Sequence, residues 1–256
     1  MRIAILAPEK IEFSSTATSV TLGSAPGDSI VLAAEGVVAA HASLSLDARG
    51  YVLQVRAAAP PIHVNARPVR ERALLHAGDQ ISIGAAQVLL LGEHVREACP
   101  EDAEPDRDVP PGALCLRGVG GSRSGVVLSV APTLELGADG LPSGPAARAG
   151  WLRVFCVQGR PALRCYDLPP AAWPRINGHS AASAWLRNGD QISLGTQRYL
   201  VDAPADAARS DAAHAFVPAE AARPEDTAGP RREVWWLLFT AALIALVLAL
   251  LLAIRH

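Results

Sequence analysis

Lysine is almost missing from this chain. Lys10 is the only one among 23 basic residues, and arginine supplies the rest. Together with abundant alanine, this reads as the codon habit of a GC-rich bacterial genome. The 25 acids bring the formal net charge to −2, so there is no electrostatic case for a nucleic-acid partner. Aromatics make up only 5% of the residues, so any core must be built from Val, Leu, Ile and Ala. Cysteine is sparse: Cys99, Cys115, Cys156 and Cys165 form no Cys-x-x-Cys pair and have no histidine cluster near them, which argues against a metal site. Cys156 and Cys165 either face each other across a hairpin or are small buried thiols in a reducing compartment. The second is the expectation. No nucleophile–base pair, carboxylate pair or phosphate loop stands out, so neither an enzyme nor a cofactor is expected. A secretion signal is lacking too: Ile3 to Ala7 is too short an apolar stretch and runs straight into Pro8-Glu9-Lys10. It reads as a first strand.

What is present is a repeat. Gly78-Asp79-Gln80-Ile81-Ser82-Ile83-Gly84 returns as Gly189-Asp190-Gln191-Ile192-Ser193-Leu194-Gly195. An upstream echo accompanies each copy, Val64-Asn65-Ala66 in the first and Ile176-Asn177-Gly178 in the second. The 111 residues from Asp79 to Asp190 are too many for a solenoid unit and suit a whole small domain. In each copy Gly-Asp predicts a turn, and the alternation after it predicts a strand with the aliphatic residues on one face. Ala85 to Leu91 reads as the returning strand. With 256 residues, half of them apolar, the chain has room for two such domains and something more.

Residues 1–95 read as all-β. Arg2–Leu6, Ile11–Phe13, Val20–Leu22 and Ile30–Leu32 are short strand candidates separated by Pro, Gly and Ser/Thr stretches. Alternation returns at Ala42–Leu46, and Asp47 to Gly50 predicts a hairpin turn into Tyr51–Val55. Many short strands at close spacing argue for a sandwich.

The order of landmarks is Leu22-Gly23, Gly27-Asp28-Ser29-Ile30, His41-Ala42, a hairpin, Val64-Asn65 and the closing Gly78 to Gly84 element. This order resembles a forkhead-associated (FHA) domain. The resemblance implies an eleven-stranded sandwich whose loops at one end grip phosphothreonine peptides. It also implies where the gripping groups belong, and most are absent. Ser24 stands where the family has its phosphate-binding Arg, and Val38 and Ala39 stand where it has Ser and Arg. The place of the peptide-holding Asn falls in Ala57-Ala58-Ala59-Pro60-Pro61. A dianionic phosphate needs arginine forks with hydroxyl or amide donors, and Ser24 alone does not supply them. His41 matches a loop-bracing histidine of the family. Arg56 and Arg70 are cations able to approach from elsewhere. The candidate peptide-binding loops are those carrying Ser24, His41, Asn65 and Asn177.

Residues 96–113 read as an acidic, Pro-rich linker, either an acidic docking tail or a solvated spacer, and the spacer is the expectation. Residues 114–202 repeat the pattern more loosely. Leu114-Cys115-Leu116 and Val126-Val127-Leu128 are strands around a Gly118–Gly121 loop. Leu134-Glu135-Leu136-Gly137 echoes Val20 to Gly23, and Trp151–Val157 with Ala162–Tyr166 predicts a hairpin. This unit resembles the same family with Ala138 at the Arg place. The expected fold class is thus all-β, two FHA-like β-sandwiches followed by a disordered tether and one transmembrane α-helix.

The tether is 203–232, rich in Ala, Pro, Asp and Arg, with an end-to-end distance on the order of 30 Å. The helix and short tail are 233–256. Val234 to Ile254 is apolar but for Thr240, spans about 30 Å, and has Trp235 and Trp236 at an interface position. With no upstream signal, the expectation is a tail-anchored, single-pass protein of the bacterial inner membrane with its sandwiches in the cytoplasm. Ala241, Ala245, Ala249 and Ala253 form a small-residue stripe suited to a homodimer, or are common alanines falling in step. The expected role is a membrane-tethered adaptor or scaffold that binds protein partners without phosphate. The alternatives are a structural subunit of an inner-membrane secretion assembly and a phosphothreonine-dependent signalling adaptor. Partners are then proteins and, through Val234 to Ile254, the lipid bilayer, with no nucleic acid.

Overall fold

The computed structural model describes residues 1–47, 50–143 and 150–205. The expected helix Val234–Ile254, its alanine stripe and nearly all of the tether lie outside them. Among the described residues no helix is long and apolar enough to cross a membrane. The described residues are all-β with almost no helix.

The first sandwich has eleven strands: β1 (Arg2–Ala7), β2 (Ile11–Ser14), β3 (Ser19–Gly23), β4 (Ile30–Val31), β5 (Ala42–Asp47), β6 (Gly50–Val55), β7 (Ile62–Val64), β8 (Arg67–Val69), β9 (Arg72–Leu75), β10 (Gln80–Ile83) and β11 (Ala86–Leu91). One sheet runs β2-β1-β11-β10-β7-β8 and the other β4-β3-β5-β6-β9. Leu22, Leu44, Leu53, Ile62, Ile81, Ile83 and Leu90 fill the space between them. The strand at Ile30 stops at Val31, and Leu32 beyond it is buried on the same side as Ile30.

The second sandwich comprises β12 (Cys115–Gly120), β13 (Val127–Ser129), β14 (Thr133–Gly137), β15 (Trp151–Val157), β16 (Arg160–Tyr166), β17 (Arg175–Ile176), β18 (His179–Ser180), β19 (Ser183–Trp185), β20 (Gln191–Leu194) and β21 (Gln197–Asp202). Its sheets run β13-β12-β21-β20-β17-β18 and β14-β15-β16-β19. Strand for strand this is the order of the first sandwich, lacking a counterpart of β4 among the described residues. Leu116, Leu136, Leu152, Val154, Leu163, Ile192 and Tyr199 form its core.

Two local expectations are corrected. Gly118 to Gly120 belong to β12 rather than to a loop, with a register shift between Gly118 and Gly120. The absence of a side chain at Gly118 lets the following turn fold back: a Cβ there would meet the Arg123 carbonyl at 1.9 Å. Residues 96–113 are not a solvated spacer throughout. Cys99 is buried with Phe155 and Ala162 on the outer face of the second sandwich. Asp106 accepts from the amides of Gln158 and Gly159 at 2.9 and 2.8 Å, capping the β15–β16 turn. Composition alone hides this, because the fit depends on where individual groups of the segment meet the second sandwich.

Cys156 lies opposite Pro161 and Cys165 opposite Leu152, so the two do not face each other, and none of the four cysteines is in a disulfide. Burial pushes the Cys165 thiol up to about 12. It stays a protonated thiol at neutral pH.

The sandwiches meet through the sheets that carry the repeat. Gly92 is clamped: its N–H donates to the Asn177 carbonyl at 2.9 Å, and its own carbonyl bonds His179 Nε2 at 2.9 Å. Gln191 Nε2 donates to Asp79 Oδ1 at 3.1 Å, so one copy of the motif holds the other. Arg198 lies in the same contact. Burial lowers its pKa, with Asp79 opposing the change and Arg175 adding to it. Outward-facing Leu91 lies against Gly178, and Leu89 lines a cavity of about 320 Å³ together with Trp173 and Ala172. With Ala4 these leucines form a small apolar cluster outside the core.

Candidate functional site

The loops that flank β4 set the geometry of the first sandwich's end. Asp28 Oδ2 accepts from the amides of Ala25 and Ala40 at 2.9 and 3.1 Å, tying the two loops together. The Ser24 amide donates to the Val38 carbonyl at 3.1 Å, and the Val38 amide donates to His41 Nδ1 at 3.2 Å. Acceptance at Nδ1 leaves the ring proton on Nε2, which donates to the Pro60 carbonyl at 2.9 Å and holds a third loop. His41 is fully buried. The amides of Ser24, Ala25, Val38 and Ala40 all have acceptors inside the protein, and a backbone cradle for an anion needs free ones. The Ser24 residue is exposed. Arg56 does reach these loops, donating from NH1 to the Ala39 carbonyl at 3.0 Å.

His41→Ala is expected to cost about 1–3 kcal/mol, because it strands a buried amide and a carbonyl together. A urea melt measures this, and an unchanged midpoint would mean that water replaces the ring.

Asn65 and Asn177 are brought into two copies of one lock. Each has φ of 51°, a left-handed conformation that asparagine tolerates, in the two-residue turns between β7 and β8 and between β17 and β18. Asn65 Nδ2 donates to Asp79 Oδ1 at 2.8 Å, and its Oδ1 accepts from the Gln80 amide at 3.0 Å. Asn177 Nδ2 donates to Asp190 Oδ1 at 2.7 Å, and its Oδ1 accepts from the Gln191 amide at 2.9 Å. Asp79 also accepts from the His76 amide and Asp190 from the Arg187 amide, each at 2.8 Å. The Asn echo and the Gly-Asp motif recur together because they are two halves of one hydrogen-bonded unit. Asp190 carries one more partner: Arg96 approaches it as a fork, with Nε 2.9 Å from Oδ2 and NH2 2.5 Å from Oδ1.

The outer sheet faces differ between the sandwiches. On the first, Thr21, Ser43, Gln54 and Arg72 stand in register across β3, β5, β6 and β9. They line a shallow groove of about 1000 Å³ with Arg56, Arg70 and Glu71 at its end. The next row is Ser45, Val52 and Leu74. On the second, the matching rows are Glu135, Arg153, Arg164 and Ser183, then Phe155, Ala162 and Trp185. Here the segment from Glu97 to Asp106 covers the face. The Trp185 amide donates to the Glu97 carbonyl at 2.8 Å, Ser183 Oγ donates to the Cys99 carbonyl at 3.2 Å, and Arg164 donates to the Pro100 and Ala103 carbonyls. The sequence reading singled out Arg56 and Arg70 but not Arg72. Strand alternation held the signal for Gln54 and Arg72, whereas register across strands is not written in one sequence. Among the described residues no cluster of His, Cys, Asp and Glu is arranged to hold a metal ion.

Residues 20–84 match the FHA domain family, a class of protein–protein interaction module. No curated protein matches the chain. Among solved structures, the FHA domain of the CT664 protein from Chlamydia trachomatis is similar at 20% identity, over 37% of this chain and 100% of that one, with a TM-score of 0.34. The N-terminal FHA domain of S. cerevisiae Rad53p, in complex with a phosphothreonine peptide, is similar at 16% identity, over 36% of this chain and 93% of that one, with a TM-score of 0.32. The Slr1951 protein from Synechocystis sp. is similar at 23% identity, over 34% of this chain and 90% of that one, with a TM-score of 0.32.

Proposed function

We propose that this chain is a protein-binding adaptor that uses two FHA-like sandwiches without requiring phosphate, tethered to the cytoplasmic face of a bacterial membrane by Val234 to Ile254. One observation carries the phosphate-independent reading. The loop amides that would face a phosphate are bonded to Asp28, Val38 and His41, and the anionic carboxylate of Asp28 sits among them. A dianion arriving there meets like charge, and the amides of Ser24, Ala25, Val38 and Ala40 are already engaged. Arg56 adds one guanidinium, already donating to a carbonyl, where a phosphate grip calls for several convergent donors. The tether and anchor rest on sequence, through the length and apolar character of 234–254.

Calorimetry of the full chain against a phosphothreonine peptide library tests the central point. No phosphate-dependent binding is expected. Micromolar binding that disappears on dephosphorylation would overturn the reading. Carbonate washing of membranes, with and without residues 234–254, tests the anchor independently.

A further inference from the structure

We propose that the bare outer face of β3, β5, β6 and β9 is the docking site for an extended acidic segment of a partner protein, gripped as residues 97–106 are gripped on the second sandwich. This rests on the adaptor reading and names the surface and the chemistry that serve it.

The molecule contains its own precedent. Strand register makes Gln54 the counterpart of Arg164, Arg72 of Ser183, Val52 of Ala162 and Leu74 of Trp185. On the second sandwich, Arg164 and Ser183 donate to main-chain carbonyls of the covering segment, while Cys99 packs on the apolar row. That segment is acidic, studded with proline and short of bulky side chains, and it runs over the face with one turn, where the Ala103 amide donates to the Pro100 carbonyl at 3.2 Å. On the first sandwich the same two rows are uncovered. Leu74 is 48% exposed, and Gln54 and Arg72 face solvent.

Charge selects the occupant. Arg70 and Arg72 make no ion pair among the described residues, and Glu71 is the only carboxylate lining the groove. Arg56 stands at the same end. Arg72 lies in the row across β3, β5, β6 and β9, and Arg56 and Arg70 stand at the groove's end, so an extended chain can present more than one carboxylate to them. A single phosphate needs donors that converge on one point. The chain's own acidic segment is already bound to the second sandwich through Asp106, Cys99 and Arg96, so the occupant comes from another protein. Gln54 and Ser43 offer amide and hydroxyl groups to its peptide bonds, and Val52 with Leu74 receives a small apolar residue.

The test is fluorescence anisotropy of the full-length protein with a labelled synthetic peptide copying residues 97–108, with Cys99→Ser to remove the thiol. Micromolar binding is expected. Affinity should fall at least about tenfold in R70E/R72E, and by a similar factor when the acids of the probe become Gln and Asn. Leu74→Asp, on the apolar row, should weaken binding as well. Circular dichroism checks that each variant folds. Equal affinity in R70E/R72E, equal binding of the neutral probe, or no binding by the wild-type chain would each overturn the site. So would displacement of the probe by a phosphothreonine peptide at lower concentration than by the acidic one. The phosphopeptide calorimetry stands independently of this result, so failure of the groove is distinguishable from failure of the adaptor role.

Discussion

Asp190→Ala is expected to destabilise the second sandwich by about 3–5 kcal/mol, the cost of removing one partner from a buried ion pair. The residue is 2% exposed and accepts from Asn177 Nδ2, the Arg187 amide and both nitrogens of the Arg96 fork. Alanine leaves a guanidinium and two other donors facing an empty space. Asp79→Ala, at the equivalent place in the first sandwich, should cost less, about 1–3 kcal/mol, because its hydrogen-bond donors are the Asn65 and Gln191 side-chain amides and the His76 backbone amide, none of them charged. Urea denaturation of both variants measures the difference. Equal losses would show that Arg96 contributes nothing beyond a neutral donor.

Gly92→Leu is expected to separate the two sandwiches while leaving each one folded. A Cβ at this position would already stand 3.1 Å from the Asn177 Cβ and 3.7 Å from the Ala77 Cβ, so a whole isobutyl group is expected to wedge the contact apart. The clamp on Gly92 by Asn177 and His179 is then lost. The backbone there has no left-handed φ to strain, so the first sandwich itself should keep its stability. The readout is a longer, more pliable particle in small-angle scattering, with unchanged far-ultraviolet circular dichroism and faster proteolysis near residue 95. Gly178→Val is a less clean variant, because φ of 88° at that position belongs to the β17–β18 turn as well as to the contact. Unchanged scattering in Gly92→Leu would mean that the contact yields without opening.

Much of the architecture was legible in the residues. The repeated Gly-Asp-Gln-Ile-Ser motif announced two units, and the hairpins at Asp47 and Gln158 followed from alternation on either side of a turn. The role of Asn65 and Asn177 was half legible: their spacing from Gly-Asp was visible, but the hydrogen bonds that make the spacing necessary are three-dimensional. The unbroken run Val88-Leu89-Leu90-Leu91 carried an unread message. A strand solvated on one face alternates, and a continuous apolar run marks a strand covered on both. Here the second cover is the other sandwich. The linker was misread because its charge masks one cysteine and one aspartate placed to fit. Asp28 escaped notice because its effect depends on amides from two loops that meet only in the fold.

The apolar cluster of Ala4, Leu89 and Leu91 has a practical meaning for anyone who cuts the chain in two. A fragment ending near residue 95 would be a well-formed sandwich with an oily flank turned to water. Self-association or precipitation of such a piece would report the missing neighbour, and would say nothing about the assembly state of the intact protein.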